Sequence, residues 1–205
     1  MSTAEAHQLR AQWLTAEDMR VAATILYQAY HDDPLFMSLF QSTKADYESR
    51  LRAAIREELQ YLWQTKQRVL GLFEGDRLIA VACLVSEPQS AGKIWSWRFK
   101  MLLTAGLGST QQWLGLEVDL IRAVGEQNFD WLAFIAVAPV NQRQGTGRLL
   151  LDAAIGASRE SGASCLALVL SQPQLADFFA AQGFGVQGQL AFAGQELALL
   201  VSRGE

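Results

Sequence analysis

Hydrophobic residues recur at every third or fourth position in three parts of the chain, which is the spacing of amphipathic helices. One predicted helix covers about residues 19–29. It should end before the Asp33–Pro34 pair, because the residue preceding a proline avoids the helical conformation. Another covers residues 145–161. The most regular covers about residues 44–66, where the apolar stripe consists of Tyr47, Leu51, Ile55, Leu59 and Leu62.

Short apolar runs between turn residues predict strands. Two of them, at residues 68–74 and 77–86, flank a glycine–aspartate pair, so a tight turn should join them in an antiparallel hairpin. A second hairpin is expected near the end of the chain, with strands at residues 184–192 and 195–202.

The apolar runs at residues 131–137 and 164–170 lie on either side of the predicted helix at 145–161. A helix that crosses between two strands of one sheet places those strands parallel to each other. A short helix at residues 173–182 should follow the second of these strands. The order of elements therefore predicts an α/β fold with a mixed central sheet flanked by helices.

Two segments give weaker patterns. Trp13 and Leu14 are interpreted as a short first strand, and residues 1–12 as a mobile tail. The segment 87–128 is an aromatic-rich insert, in which we expect two helices at about residues 94–105 and 109–125. Its tryptophans are interpreted as core residues rather than as a ligand cage, and they are Trp95, Trp97 and Trp113.

The composition fits one domain over residues 13–205. The chain has 205 residues, half of them hydrophobic, and a formal net charge of −4. This charge argues against nucleic-acid binding and favours a small-molecule partner. We expect no metal site, because the chain lacks the His and Cys spacings of metal ligands.

No apolar run reaches the roughly 18 residues that a membrane span needs. No signal-peptide pattern starts the chain either, so we expect no membrane association and a cytoplasmic location. In that compartment Cys83 and Cys165 should be buried free thiols, with a disulfide between them as the alternative.

The most informative motif joins the strand at 131–137 to the following helix. It reads Val-x-Pro-x-x-Gln-x-x-Gly-x-Gly-x-x-Leu, from Val137 to Leu150. Glycines let the backbone approach a ligand closely, and the free N–H groups of a loop that opens a helix attract phosphate. The motif is not a P-loop, and it lacks the third glycine and the later acidic residue of a dinucleotide-binding fingerprint. The alternative is an ordinary glycine turn.

This motif resembles the acetyl-CoA signature of the Gcn5-related N-acetyltransferase (GNAT) superfamily, through Gln142, Gly145 and Gly147. The resemblance implies a GNAT fold in which two parallel central strands splay apart, with an acetyl-CoA-binding core over residues 129–205. It also implies acetyl-CoA as co-substrate, bound at the splay by backbone groups of Ile135, Ala136 or Val137. The pyrophosphate would lie on the loop formed by Gln142, Arg143, Gln144, Gly145, Thr146, Gly147 and Arg148. For the side chains of Arg143 and Arg148, a solvated basic surface is an equal alternative.

The sequence departs from the family pattern after the second parallel strand. Members often carry Asn-x-x-x-Tyr four residues before Gly-Phe, and the tyrosine protonates the leaving thiolate. Leu175 and Phe179 occupy these two positions here. Phenylalanine keeps the packing and loses the acid, so Ser171 is a candidate replacement, with an ordinary helix-capping serine as the alternative.

By the same resemblance, the acceptor wall includes the loop after the first helix. His31 in this loop is the candidate general base, since histidine titrates near neutral pH. A cap or surface role is its alternative. Asp32 and Asp33 are expected to attract a cationic acceptor, although Asp before proline is also a common turn residue.

These observations predict an acetyl-CoA-dependent N-acetyltransferase that acts on the primary amine of a small molecule, as a monomer or homodimer. Phe179 and Leu175 keep open a catalytically weak acyl-CoA-binding sensor or scaffold. Protein N-acetylation is a third alternative.

Overall fold

The computed structural model describes residues 9–86, 106–125, 128–192 and 194–203. In this part of the chain, seven strands form one sheet in the order β1-β2-β3-β4-β5-β7-β6. The strands are β1 Leu9–Trp13, β2 Arg68–Glu74, β3 Arg77–Val85, β4 Phe129–Val137, β5 Cys165–Leu170, β6 Phe184–Phe192 and β7 Gln195–Arg203. All neighbouring strands are antiparallel except β4 and β5, so the predicted mixed sheet, both hairpins and the parallel pair are confirmed.

Six helices and two short 3₁₀ turns connect the described strands. The helices are α1 Met19–Tyr30, α2 Pro34–Leu39, α3 Tyr47–Gln64, α4 Leu107–Val124, α5 Thr146–Glu160 and α6 Ala176–Ala180. The 3₁₀ turns cover Pro139–Asn141 and Pro173–Leu175. The single helix expected at 173–182 is thus a proline-initiated turn followed by five helical residues. The helix expected at 94–105 lies outside the described residues.

Alternating side chains of the central strands divide the core into two layers. Val81 and Cys83 of β3 pack in the layer with α1, α2, α3 and α4. Ala80, Ala82 and Leu84 pack in the other layer with α5 and α6. The central strands are therefore buried on both faces. Cys83 and Cys165 are buried thiols that are not joined in a disulfide, as predicted.

The first strand differs from its prediction. Residues 9–13 pair with β2 in a continuous antiparallel register, from Leu9 opposite Glu74 to Trp13 opposite Leu70. Residues 9–12 therefore belong to the sheet and not to a mobile tail. The sequence pattern of this strand is weak, because β1 is an edge strand whose residues are mostly exposed. Its sequence therefore does not alternate between apolar and polar residues.

The predicted splay between the parallel strands is confirmed by their register. In the described strands, β4 and β5 pair at Phe129–Cys165, Asp130–Leu166 and Trp131–Ala167. Beyond Trp131 the two strands diverge, while β4 stays paired with β3 as far as Val137. The carboxyl-terminal half of β4 thus has one open edge inside the molecule.

Candidate active site

The open edge of β4 presents the main-chain groups of alternate residues. The amide of Ala138 donates to the carbonyl oxygen of Ile79 in 2.8 Å, so it points towards β3. Because N–H groups alternate along a strand, Ala136 also points towards β3, whereas Ile135 and Val137 point into the splay. Of the three backbone candidates, Ile135 and Val137 face the space where a ligand would lie, and Ala136 does not.

A tyrosine that the sequence analysis missed occupies this edge. The Tyr30 hydroxyl accepts a hydrogen bond from the Ile135 amide at 3.1 Å and donates to the Ile135 carbonyl oxygen at 3.2 Å. Tyr30 is the last residue of α1 and continues the buried helical stripe of Ala22 and Leu26. A hydroxyl-bearing residue at the end of an apolar stripe is the signal that would have identified it.

The glycine loop places an open helix end beside the same edge. Gly145 is the N-cap of α5 with φ 83°, a left-handed conformation that favours glycine, and glycine has no side chain to cap the helix. The first α-helical bond of α5 runs from the Leu149 amide to Gly145, so the amides of Thr146, Gly147 and Arg148 have no intrahelical acceptor. Three N–H groups and the positive end of the helix dipole therefore converge at this point.

The side chains of the loop support this arrangement. Gln142 donates from Nε2 to the Val137 carbonyl oxygen at 3.0 Å, and Gln144 donates to the Val140 carbonyl oxygen at 2.9 Å. Arg143 has φ 59° and an exposed side chain. Arg148 lies 3.8 Å from Asp152 in an exposed pair one helical turn away. Gln142 thus holds the loop against β4 and Gln144 holds it against the 3₁₀ turn, while both arginines face solvent.

Two adjacent phenylalanines lie behind the loop. The side-chain space of Gly147 borders Phe178 and Val137, each 3.6 Å from where a Cβ would be. Phe179 is buried in the α5 layer, where its ring packs edge-to-face on Phe184 at a centroid distance of 5.6 Å. Leu175 is 39% exposed. Phe178 therefore borders the loop, and Phe179 supplies core packing without a proton donor.

Asp33 is fully buried and does not lie at an open acceptor wall. Its Oδ1 caps α2 by accepting from the amides of Leu35 and Phe36. Its Oδ2 accepts from Ser171 at 2.6 Å and from Gln172 at 2.9 Å. Asp33 is thus a structural residue. This corrects the expectation that its side chain attracts a cationic acceptor. The proton of Ser171 is directed to this carboxylate, which does not favour its use as the acid.

These bonds connect the acceptor side of the splay. Asp33 joins the loop after α1 to the end of β5. Gln195, at the start of β7, donates to the Pro34 carbonyl oxygen at 3.1 Å and so adds the last hairpin. Three segments that are distant in sequence therefore form one hydrogen-bonded rim at the carboxyl end of β5.

His31 and Asp32 form a more exposed pair. His31 Nδ1 lies 2.6 Å from Asp32 Oδ1, and because a carboxylate oxygen accepts, Nδ1 carries the proton. His31 Nε2 is 3.8 Å from Glu48, which is beyond hydrogen-bond distance. The His31 ring also contacts Tyr27 and Tyr47, so it lies towards α3. Its catalytic role stays a prediction.

The aromatic residues next to Tyr30 belong to the core. Trp113 stacks on Phe134 at 5.9 Å and contacts Phe36 edge-to-face at 5.6 Å, and all three are buried. Trp113 is therefore a packing residue, as predicted. Trp95 and Trp97 lie outside the described residues.

Metal binding and membrane insertion are two other kinds of function. Within the described ranges, no three His, Cys, Asp or Glu residues form a group that could hold a metal ion. None of the helices described here combines the length and the apolarity that crossing a membrane requires.

The residues at the splay fit a ligand that carries phosphate groups on an extended chain. The uncapped helix end supplies N–H donors for phosphate oxygens, and the edge of β4 supplies hydrogen-bonding groups for an extended chain. The donor chemistry is that of backbone amides, which suits an anionic ligand without a metal ion.

The family model described as the Acetyltransferase (GNAT) family matches residues 26–184. The chain belongs to this family, whose members use acetyl-CoA. None of the curated proteins matches the sequence.

Solved structures share the fold at low identity. One is described as histone acetyltransferase HPA2 and related acetyltransferase from Corynebacterium glutamicum, with a TM-score of 0.72 and 15% identity over 96% of this chain and 97% of that one. The C-terminal condensation domain of Ebony, in complex with beta-alanyl-dopamine, has a TM-score of 0.71 and 11% identity over 96% and 99%. The PaiA N-acetyltransferase from Thermoplasma acidophilum, in complex with coenzyme A, has a TM-score of 0.58 and 14% identity over 96% and 99%.

Proposed function

We propose that the protein transfers an acetyl group from acetyl-CoA to the primary amine of a small molecule. The observation that carries this proposal is the open edge of β4 beside the uncapped, glycine-led end of α5. The amides of Thr146, Gly147 and Arg148 would hold the pyrophosphate, and the edge at Val137 would hold the pantetheine arm. Bound acetyl-CoA supplies a thioester as the activated acyl group.

The reaction requires a neutral amine nitrogen. Its lone pair forms the new C–N bond as the C–S bond breaks with its electron pair on sulfur, so one proton leaves the nitrogen and one reaches the thiolate. We assign His31 as the base, because Asp32 fixes the proton on Nδ1 and leaves the Nε2 lone pair available. Solvent would protonate the thiolate, because Phe179 has no proton to give.

The hydrogen-bonded rim supports a small acceptor. Asp33, Ser171, Gln172 and Gln195 join the segments around the carboxyl end of β5. We expect these bonds to hold the three segments close together, which favours a small acceptor over an extended peptide. Asp32 is 89% exposed at the side chain and supplies a negative charge beside His31, which suits an amine that arrives protonated.

Thiol release over a panel of small amines, with mass spectrometry of the products, tests the proposal. We expect acetyl-CoA-dependent formation of an N-acetyl product with at least one amine, and loss of that product in Gly145→Asp. Binding of acetyl-CoA without any acetylated product would favour the acyl-CoA-binding sensor, which the apolar Phe179 also fits. Acetylation of peptides but not of small amines would favour a protein N-acetyltransferase.

A further inference from the structure

The Tyr30 hydroxyl is directed at the same backbone groups that face a ligand in the splay. It exchanges two hydrogen bonds with Ile135, one with the amide and one with the carbonyl oxygen. The Tyr30 ring packs on Phe36 at 4.8 Å and on Phe134 at 5.4 Å, which fixes its position. A phenylalanine would make the same ring contacts, so packing alone does not require the hydroxyl.

We propose that Tyr30 is a catalytic residue whose hydroxyl accepts from the Ile135 amide and donates to the thioester carbonyl oxygen. This inference rests on the proposed acetyl transfer. The hydroxyl, polarised by the amide that donates to it, would stabilise the negative charge that develops on that oxygen when the amine attacks. Tyr30 gives up no proton in this role and is unchanged by the reaction.

The hydroxyl can make both of these bonds at once. The Tyr30 oxygen is 3.1 Å from the Ile135 nitrogen, so it occupies the acceptor position of this amide. An oxygen that accepts from the hydroxyl would lie about 2.7–2.8 Å from it. Rotation of the O–H bond then turns the phenolic proton from the Ile135 carbonyl towards the incoming oxygen. In the absence of ligand, the hydroxyl keeps both Ile135 groups hydrogen-bonded.

The phenol is suited to donation rather than to proton abstraction. Burial raises the pKa of Tyr30 above its ordinary value, against a smaller lowering by the hydrogen bond with Ile135, and the negative charge of Asp33 adds a further small increase. The hydroxyl therefore stays protonated at neutral pH.

A spectroscopic experiment separates this role from a structural one. Acetyl-CoA labelled with ¹³C at the carbonyl is bound to the parent, to Tyr30→Phe and to Tyr47→Phe, and the carbonyl stretch is measured by difference infrared spectroscopy. Tyr47 is a matched control, because its hydroxyl donates to a backbone carbonyl oxygen, that of His31, at 2.5 Å. We expect binding to lower the stretch in the parent and in Tyr47→Phe, and Tyr30→Phe to lose part of this lowering.

Kinetics provides the second measurement. Removing one donor to a developing oxyanion lowers kcat by about 100-fold or more. We therefore expect Tyr30→Phe to lower kcat by about that factor with little change in KM for acetyl-CoA. An unchanged stretch together with an unchanged kcat would overturn the inference and leave Tyr30 as a tie between α1 and β4.

Two further outcomes are decisive. If Tyr30→Phe does not fold, 3-fluorotyrosine at position 30 keeps the hydroxyl and makes it a stronger donor, so the carbonyl stretch should fall further. No additional lowering would overturn the inference.

If the parent does not bind acetyl-CoA at all, both the proposed function and this inference fail. Binding with a stretch that is insensitive to position 30 removes this inference alone.

Discussion

The two ends of β4 are built for different purposes. At the amino-terminal end, Phe129, Asp130 and Trp131 pair with β5, and the buried carboxylate of Asp130 pairs with the partly exposed Arg68 at 2.5 Å. At the carboxyl-terminal end β5 has diverged, and side chains of Tyr30 and Gln142 meet the groups that a neighbouring strand would otherwise bond. One strand thus contributes stability at one end and a ligand edge at the other.

The paired end should show the largest effect on stability. Arg68 bonds the Ala157 carbonyl oxygen and the Asp130 carboxylate, so it links β2 to α5 and to β4. Removing it leaves a buried carboxylate without its cation, and we expect Arg68→Ala to lower the free energy of unfolding by about 3–5 kcal/mol. Urea unfolding measures this loss.

A double variant provides the control for the paired end. Arg68→Met combined with Asp130→Leu removes both charges, so it should cost less than Arg68→Ala alone. If Arg68→Ala lowers the free energy of unfolding by less than about 1 kcal/mol, the pair contributes no more than an exposed ion pair does. The contrast between the two ends of β4 would then be weaker.

At the splayed end the largest effect should be on binding. Acetyl-CoA at one hundred times its Kd stabilises the parent by about 2.7 kcal/mol, since it binds the folded state. Gly145→Asp should abolish this shift, because it places a negative charge where phosphate oxygens would lie. Thermal unfolding with and without acetyl-CoA is the measurement.

Two variants separate charge from backbone strain at this position. Gly145→Asn also places a residue with a side chain in the left-handed conformation but adds no charge, so it should retain part of the shift. Gly156→Asp adds the same charge in α5 at a site with no heavy atom within 4 Å of the new Cβ, and it should retain the full shift. Equal shifts in all four proteins would place the ligand elsewhere.

These predictions depend on features with different origins in the sequence. The glycine loop and the parallel pair are predictable, because Gly145 and Gly147 act within a few residues of one strand and one helix. The partners of Asp33 and Tyr30 are not, since Ser171 and Ile135 lie 138 and 105 positions away. No local spacing encodes a contact at that separation. The sequence around Asp33 accordingly has the pattern of a surface turn, whereas its carboxylate is buried and joins several segments of the fold.

The buried phenol of Tyr47 should make stability sensitive to alkaline pH. Burial, followed by the charge of Asp32, raises the pKa of Tyr47 from 10.0 to about 12. The folded state therefore holds this proton more tightly, so its contribution is complete below the ordinary pKa and is lost as pH rises towards 12. The free energy of unfolding should fall between about pH 10 and pH 12. Tyr47→Phe should show a shallower fall, and an equal slope would contradict the assignment.

The smallest effect is expected at Asp32, whose side chain is exposed. Exposed ion pairs contribute about 0.2–1 kcal/mol, so Asp32→Asn should raise KM for the amine by less than about fivefold and leave KM for acetyl-CoA unchanged. Asp33→Asn should instead lower stability, because it removes the buried acceptor of Ser171 and Gln172. Two-substrate kinetics and unfolding of both variants test this division, and a shared loss of stability would contradict it.

The contrast between the two ends of β4 is tested most directly by titrating the ¹⁵N-labelled protein with acetyl-CoA and following each backbone amide by NMR. We predict the largest chemical-shift changes at Val137, Gly145 and Gly147, with the Ile135 amide also affected. The amides of Phe129, Asp130 and Trp131 should change little, because β5 occupies that edge. Comparable changes at both ends, or none in the glycine loop, would contradict the account.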